Sequence, residues 1–136
     1  MNDKLQDKLN KDFPTLFTKS DFKKGIYGTR HCECDDGWHD IIRGVCETLV
    51  KLNIPELRFE QIKEKFGSIR MYVNIYSKVV EAIVDQATIE SLKTCEYCGA
   101  KEGVETNSGG TYWIRSLCPT CRGKEDEKRI ERMGRK

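Results

Sequence analysis

The sequence predicts an α+β protein, a small body of helices around one β-hairpin, joined to a C-terminal module built on four cysteines. Three observations lead there. Trp38, Ile41, Ile42, Val45, Leu49 and Leu52 recur at spacings of three and four, the period of an amphipathic helix. Ile69, Met71, Val73 and Ile75 alternate with other residues behind Gly67-Ser68, the period of a half-buried strand after a tight turn. Cys95-Glu96-Tyr97-Cys98 and Cys118-Pro119-Thr120-Cys121 form two Cys-x-x-Cys hooks, with Gly99 following the first where the chain must turn back.

In chain order, Leu5 and Leu9 with Phe13 mark a short helix over residues 3–11, ended or redirected by Pro14. Phe13, Leu16 and Phe17 then form an apolar knot that docks this segment on the body. Residues 18–37 show no period and read as a long polar loop. Asp36 is placed to cap the helix that carries the Trp38 stripe through Asn53, before Pro55. Cys46 reads as a small buried apolar residue of that helix.

Residues 57–76 read as a hairpin about Gly67-Ser68, which sets Phe66 opposite Ile69, Glu64 opposite Met71, Ile62 opposite Val73 and Phe59 opposite Tyr76. One face is mostly apolar. The other carries Lys63, Lys65, Arg70 and Tyr72 with Gln61 and Asn74, and Lys65 directly across from Arg70 is a repulsion that an anion would relieve. Ser77 caps a helix whose Val80, Ile83, Val84 and Ala87 cover the apolar face, and which runs to about residue 93. The division is therefore residues 1–93 for the body and 94–136 for the module, with little room for a flexible linker.

Two tight turns that each offer two thiolates complete the tetrahedron a zinc ion accepts. In a chain of 136 residues with seven cysteines and no signal-peptide-like start, one Zn²⁺ on Cys95, Cys98, Cys118 and Cys121 is expected, disulfides being the alternative. The absence of an apolar run of membrane-spanning length fits a cytoplasmic protein with no membrane contact. Within the module, 104–106 and 111–117 are strand-like around Asn107-Ser108-Gly109-Gly110. A last helix places Glu125, Asp126 and Glu127 ahead of Arg129, Arg132 and Arg135, with Glu125/Arg129 and Glu131/Arg135 as supporting pairs. Knuckle, hairpin, knuckle and helix is the treble-clef order; a zinc ribbon, which lacks that helix, is the near alternative.

Glu33-Cys34-Asp35-Asp36-Gly37-Trp38, Gln61-Ile62-Lys63-Glu64-Lys65-Phe66-Gly67 and Cys95-Glu96-Tyr97-Cys98-Gly99 together resemble a family of uncharacterised small bacterial and bacteriophage proteins, over residues 13–121. Members often have Gly where this chain has Asp35, and a Gly pair where it has Gly67-Ser68. The resemblance implies a phage-type accessory protein and brings no activity with it.

Candidate chemistry falls in three classes. Binding of nucleic acid, or of the transcription or replication machinery, is indicated by the Lys63/Lys65/Arg70/Tyr72 face, by Tyr112-Trp113-Ile114-Arg115 and by the arginine-rich end of the last helix. The small net charge of +2 leaves this to local clustering. A modulator of a host protein is the competing class, since Tyr112, Trp113 and Arg115 are also the residue types that dominate protein interfaces. The third class uses the loop: His31, Cys32, Cys34 and His39, with Asp35 and Asp36, could hold a second metal or serve a hydrolase as base, nucleophile and orienting acid. A nuclease built on the zinc module would want a histidine in or beside it, and neither His31 nor His39 lies there. Binding is favoured over catalysis.

Overall fold

The computed structural model describes residues 1–134. Arg135 and Lys136, and with them the expected Glu131/Arg135 pair, lie outside the described residues. The fold is α+β, with a three-stranded sheet in the body and a two-stranded one in the module.

Helix α1 (Asp3–Asp12) is capped by Asn2, whose side chain accepts the Leu5 N–H at 2.9 Å. It buries Gln6 and Leu9, and the knot of Phe13, Leu16 and Phe17 follows it into the core, where the Phe17 and Phe59 rings meet at 5.2 Å. The expected loop of residues 18–37 is more ordered than its sequence suggests. It contains a 3₁₀ turn (Phe22–Lys24) and a two-residue strand, β1 (Cys32–Glu33), which pairs in parallel with the next strand through Cys32↔Ile62 and Glu33↔Lys63. Gln6 Oε1 accepts the Cys32 N–H at 2.7 Å.

Helix α2 (His39–Lys51) begins after a 3₁₀ turn (Asp36–Trp38), and Asp36 does not cap it. The Asp36 carboxylate instead accepts the backbone and side-chain N–H groups of Asn2 at 2.7 and 2.9 Å, tying the N-terminal segment down. Trp38, Ile42, Val45, Cys46 and Leu49 are buried, as the stripe predicts.

Strands β2 (Phe59–Lys65) and β3 (Ser68–Val73) form the hairpin, but its turn is Phe66-Gly67, with φ of +53° and +82°, the two positive values of a type I′ turn. The register is Lys65↔Ser68, Lys63↔Arg70, Ile62↔Met71 and, past an irregularity, Phe59↔Val73. It is slipped by two residues from the expected one. A two-residue slip keeps every side chain on its face, so Ile62, Ile69, Met71 and Val73 still line the core. Arg70 therefore faces Lys63, not Lys65. Helix α3 (Lys78–Ser91), capped by Ser77 at 3.2 Å to Val80 N, is stitched to β3 by Thr88 Oγ1, which donates to Ile69 O at 2.9 Å, and by Ser91 Oγ, which accepts Ile69 N–H at 2.8 Å.

In the module, β4 (Glu105–Asn107) pairs antiparallel with β5 (Arg115–Leu117), and α4 (Pro119–Gly134) leaves the second hook directly. Asn107 Oδ1 accepts the Gly109 N–H at 2.9 Å in the connecting turn. The expected Glu125/Arg129 pair is replaced: Arg129 reaches Asp126 at 3.6 Å and donates to Gly109 O at 2.8 Å, holding the turn against α4. Among the described residues no helix is long and apolar enough to cross a membrane.

Candidate metal centre and binding face

The Sγ atoms of Cys95, Cys98, Cys118 and Cys121 all lie within 4.8 Å of one another, and Cys98 and Cys118 are 3.7 Å apart. A tetrahedron with metal–sulfur bonds of about 2.3 Å has sulfur–sulfur edges of about 3.8 Å, so the cage fits one ion. No disulfide joins these sulfurs, all seven cysteines being free. Local backbone explains how the hooks form. Gly99 sits at φ +82°, its N–H donates to Cys95 O at 2.9 Å, and Cys95 N–H returns to Ala100 O at 2.8 Å, closing the first knuckle. At the second, the Cys121 N–H points at Cys118 Sγ at 3.5 Å and holds that thiol down to about 7, while Cys98 and Cys121 in the same cluster are raised.

The module is locked to the body on two sides, at the turn around Gly37 and at the hairpin tip around Gly67. Gly37 N–H donates to Glu96 O at 2.7 Å, and Trp38 Nε1–H donates to Thr94 O at 3.0 Å. A Cβ at position 37 would fall 2.1 Å from Cys95 O and 2.5 Å from Glu96 O, so only glycine fits there. The hairpin tip docks on the other side: Ser116 Oγ donates to Gly67 O at 2.6 Å, and a Cβ on Gly67 would meet Thr106 Cγ2 at 2.7 Å. Asp35 has φ −84° and ψ 172°, extended backbone that any residue adopts. Residues 93 and 94, between α3 and the first hook, lie in a hydrogen-bonded turn, with Lys93 N–H to Glu90 O at 3.0 Å and Thr94 N–H to Ser91 O at 3.3 Å.

Glu96 is the only buried Asp, Glu, Lys or Arg among the described residues. Its carboxylate accepts the Asp35 N–H at 3.1 Å and faces the Arg115 guanidinium at 3.3 Å, while burial pushes its carboxyl up to about 7 against the pull of both. Arg115 also lies 3.9 Å from Asp35 and over the rings of Tyr97 and Trp113, at 5.5 and 5.9 Å. Sequence reasoning passed over Glu96 and Gly37 because their roles exist only across the junction.

The loop residues suggested for a second metal or for catalysis are not brought together. Among the described residues the four-cysteine group is the only set of three or more such ligands that could share an ion. Cys32 and Cys34 are buried in the core, His31 is exposed, and His39 Nδ1 pairs with Asp40 Oδ1 at 3.2 Å while its Nε2 is buried without a partner. Burial pushes the Cys32 thiol up to about 12, and Cys34 is raised by the same cause, the opposite of an activated nucleophile.

On the outer hairpin face, Lys63 has Arg70 on one side and Glu33 on the other, and Gln61 bonds Glu33 at 2.9 Å. The expected Lys65/Arg70 pairing is absent, because Lys65 faces Ser68 and Arg70 faces Lys63. Tyr72 is exposed there. The module face is stronger. Tyr112 is fully exposed and Trp113 is 66% exposed, so neither ring packs inside the module or covers the body. Between their loop and α4 lies a cleft of about 370 Å³ that also contains Arg115, Arg122, Arg129 and Arg132, with Glu125 and Asp126 as its acids. Arg122 was not among the expected residues; its spacing of seven and ten from Arg129 and Arg132 places all three on one helical face. Comparison with family models, curated proteins and solved structures finds no match for this chain.

Proposed function

We propose that the four cysteines hold one Zn²⁺ in a treble-clef-like module and that the protein is a phage-type accessory factor that binds nucleic acid. Zinc is favoured by the donors: four thiolates in a closed tetrahedron suit a borderline-soft ion and leave no open position for catalysis. The observation that carries the nucleic-acid reading is the placement of exposed Tyr112 and Trp113 beside a cleft with four arginines. Cations there attract phosphates and the aromatics offer stacking surfaces; Arg115 pairs with Glu96 and Arg129 with Asp126, and Glu125 in the same cleft offsets part of the charge of Arg122 and Arg132. Body and module act as one rigid reader, because the hook, the hairpin tip and the Gly37 turn share hydrogen bonds.

Fluorescence anisotropy of labelled oligonucleotides against the zinc-loaded protein tests this reading. Binding should weaken linearly in log affinity against log salt, as counterion release requires. Absence of binding at low salt overturns it. A partner recovered from host lysate that survives nuclease treatment and disappears with Trp113→Ala would instead establish the host-protein modulator.

A further inference from the structure

We infer that the cleft between the β4–β5 loop and α4 selects single-stranded nucleic acid, stacking one unpaired base on Trp113 and holding its phosphates with Arg122 and Arg132. This rests on the nucleic-acid reading above and narrows it. The Arg115 guanidinium lies over the Trp113 ring at 5.9 Å and is itself anchored to Glu96, so the indole is backed on one side and exposed over two thirds of its surface. A ring held this way at a cleft mouth offers a π-face to a base whose own face is bare. Bases in a duplex are stacked on one another and cannot meet it, whereas those in a single strand can.

The arginines differ in what they have left to give. Arg129 is taken up by Asp126 and Gly109 O, and Arg115 by Glu96. Arg122 donates through Nη2 to Arg115 O at 2.9 Å and Asn107 O at 3.3 Å, which fixes its guanidinium in the cleft wall. Among the described residues Arg132 makes one bond, Nε–H to Lys128 O of its own helix at 3.3 Å. Arg122 and Arg132 therefore keep donors for phosphate, ten residues apart along one face of α4. A cleft of about 370 Å³ admits a nucleotide and is too small for a double helix.

The test uses the protein's two tryptophans, of which Trp38 is fully buried and serves as an internal reference. DNA and RNA 12-mers, single-stranded and as blunt duplexes of the same sequence, are titrated into the zinc-loaded chain. Single strands should bind about tenfold more tightly than the duplexes and quench Trp113 emission. Trp113→Leu should abolish the quenching and weaken single-strand binding about tenfold, with zinc content and thermal midpoint unchanged. Arg132→Gln should lower the salt slope by about 0.7, one phosphate contact on a single strand. Equal affinity for duplex and single strand, or unchanged single-strand binding by Trp113→Leu, overturns the inference and leaves the broader reading standing. Failure of every oligonucleotide to bind removes both.

Discussion

The body buries twenty apolar side chains in one cluster, drawn from all three of its helices and its sheet. Among the described residues the module buries one aliphatic residue, Leu117, with three of its four hook cysteines, and half-buries Tyr97, Ala100 and Val104 around them. The body is a hydrophobic core that happens to contain thiols; the module is a cluster of four cysteines with a thin apolar lining. About forty residues with so small a core do not hold a fold without a cross-link. The two regions should therefore fail under different insults, and each experiment below separates or joins them.

Removal of the metal is the largest expected effect. Structural zinc in small modules contributes about 10 kcal/mol or more, far beyond the rest of the module's interior. A strong chelator should collapse the amide dispersion of residues 104–134 in heteronuclear NMR spectra while Ile42, Ile62 and Val73 stay protected from exchange. A module that keeps its dispersion without metal, or a body that melts with it, would contradict this division.

Two glycine-to-alanine changes test the junction next. Gly37→Ala drives a Cβ into Cys95 O and Glu96 O at 2.1 and 2.5 Å, both backbone atoms, and should cost about 2–3 kcal/mol and loosen the module from the body. Gly44 lies on the exposed side of α2 with nothing within 4 Å of a built Cβ, so Gly44→Ala should stabilise by up to about 1 kcal/mol through helix propensity. Urea midpoints of the two variants should move in opposite directions. A neutral Gly37→Ala would mean that the hook is not seated as described.

What the sequence revealed follows the same line. Helices α2 and α3, the apolar hairpin face and the four hook cysteines were legible because each repeats a local period or spacing. Strand β1 was not, since two residues carry no period and its partner Ile62 is thirty positions away. The capping role assigned to Asp36 was lost to Asn2, a tertiary competitor. The hairpin turn was misplaced because Gly67-Ser68 satisfies a two-residue turn on composition, whereas docking of Gly67 on Ser116 and Thr106 selects Phe66-Gly67. Tyr112, Trp113 and Arg115 were legible as residue types, but the cleft that Trp113 and Arg115 share with Arg122 exists only once α4 has folded back.

The body's thiols should make it sensitive to alkali. Burial raises Cys32 from the ordinary 9.0 to about 12, and raises Cys34 and Cys46 in the same direction. Below about pH 9 both folded and unfolded chains keep these protons, and the contribution is fully present. Above it the unfolded chain releases protons that the folded body retains, so stability falls as pH rises toward about 12, by up to about 1.4 kcal/mol per unit for each thiol. Urea midpoints between about pH 8 and about pH 11 should drop, and Cys46→Ala should flatten the slope. Equal slopes in the two proteins would show that the buried thiols do not set it.

The smallest effect concerns Phe66, at the tip that body and module share. Its φ of +53° is a conformation that costs an ordinary L-residue about 1–2 kcal/mol, and its ring is 67% exposed, with the Lys65 ammonium 5.9 Å from its centroid. Asn tolerates that backbone and is a preferred first residue of a type I′ turn, so Phe66→Asn should stabilise the chain by about 0.5–1 kcal/mol. If the tip is a body element that the module merely rests on, the gain should appear in the urea midpoint and leave metal affinity unchanged. A destabilised variant would show that the exposed ring holds the tip in place. A change in metal affinity would show instead that the hairpin tip helps shape the cage through Ser116.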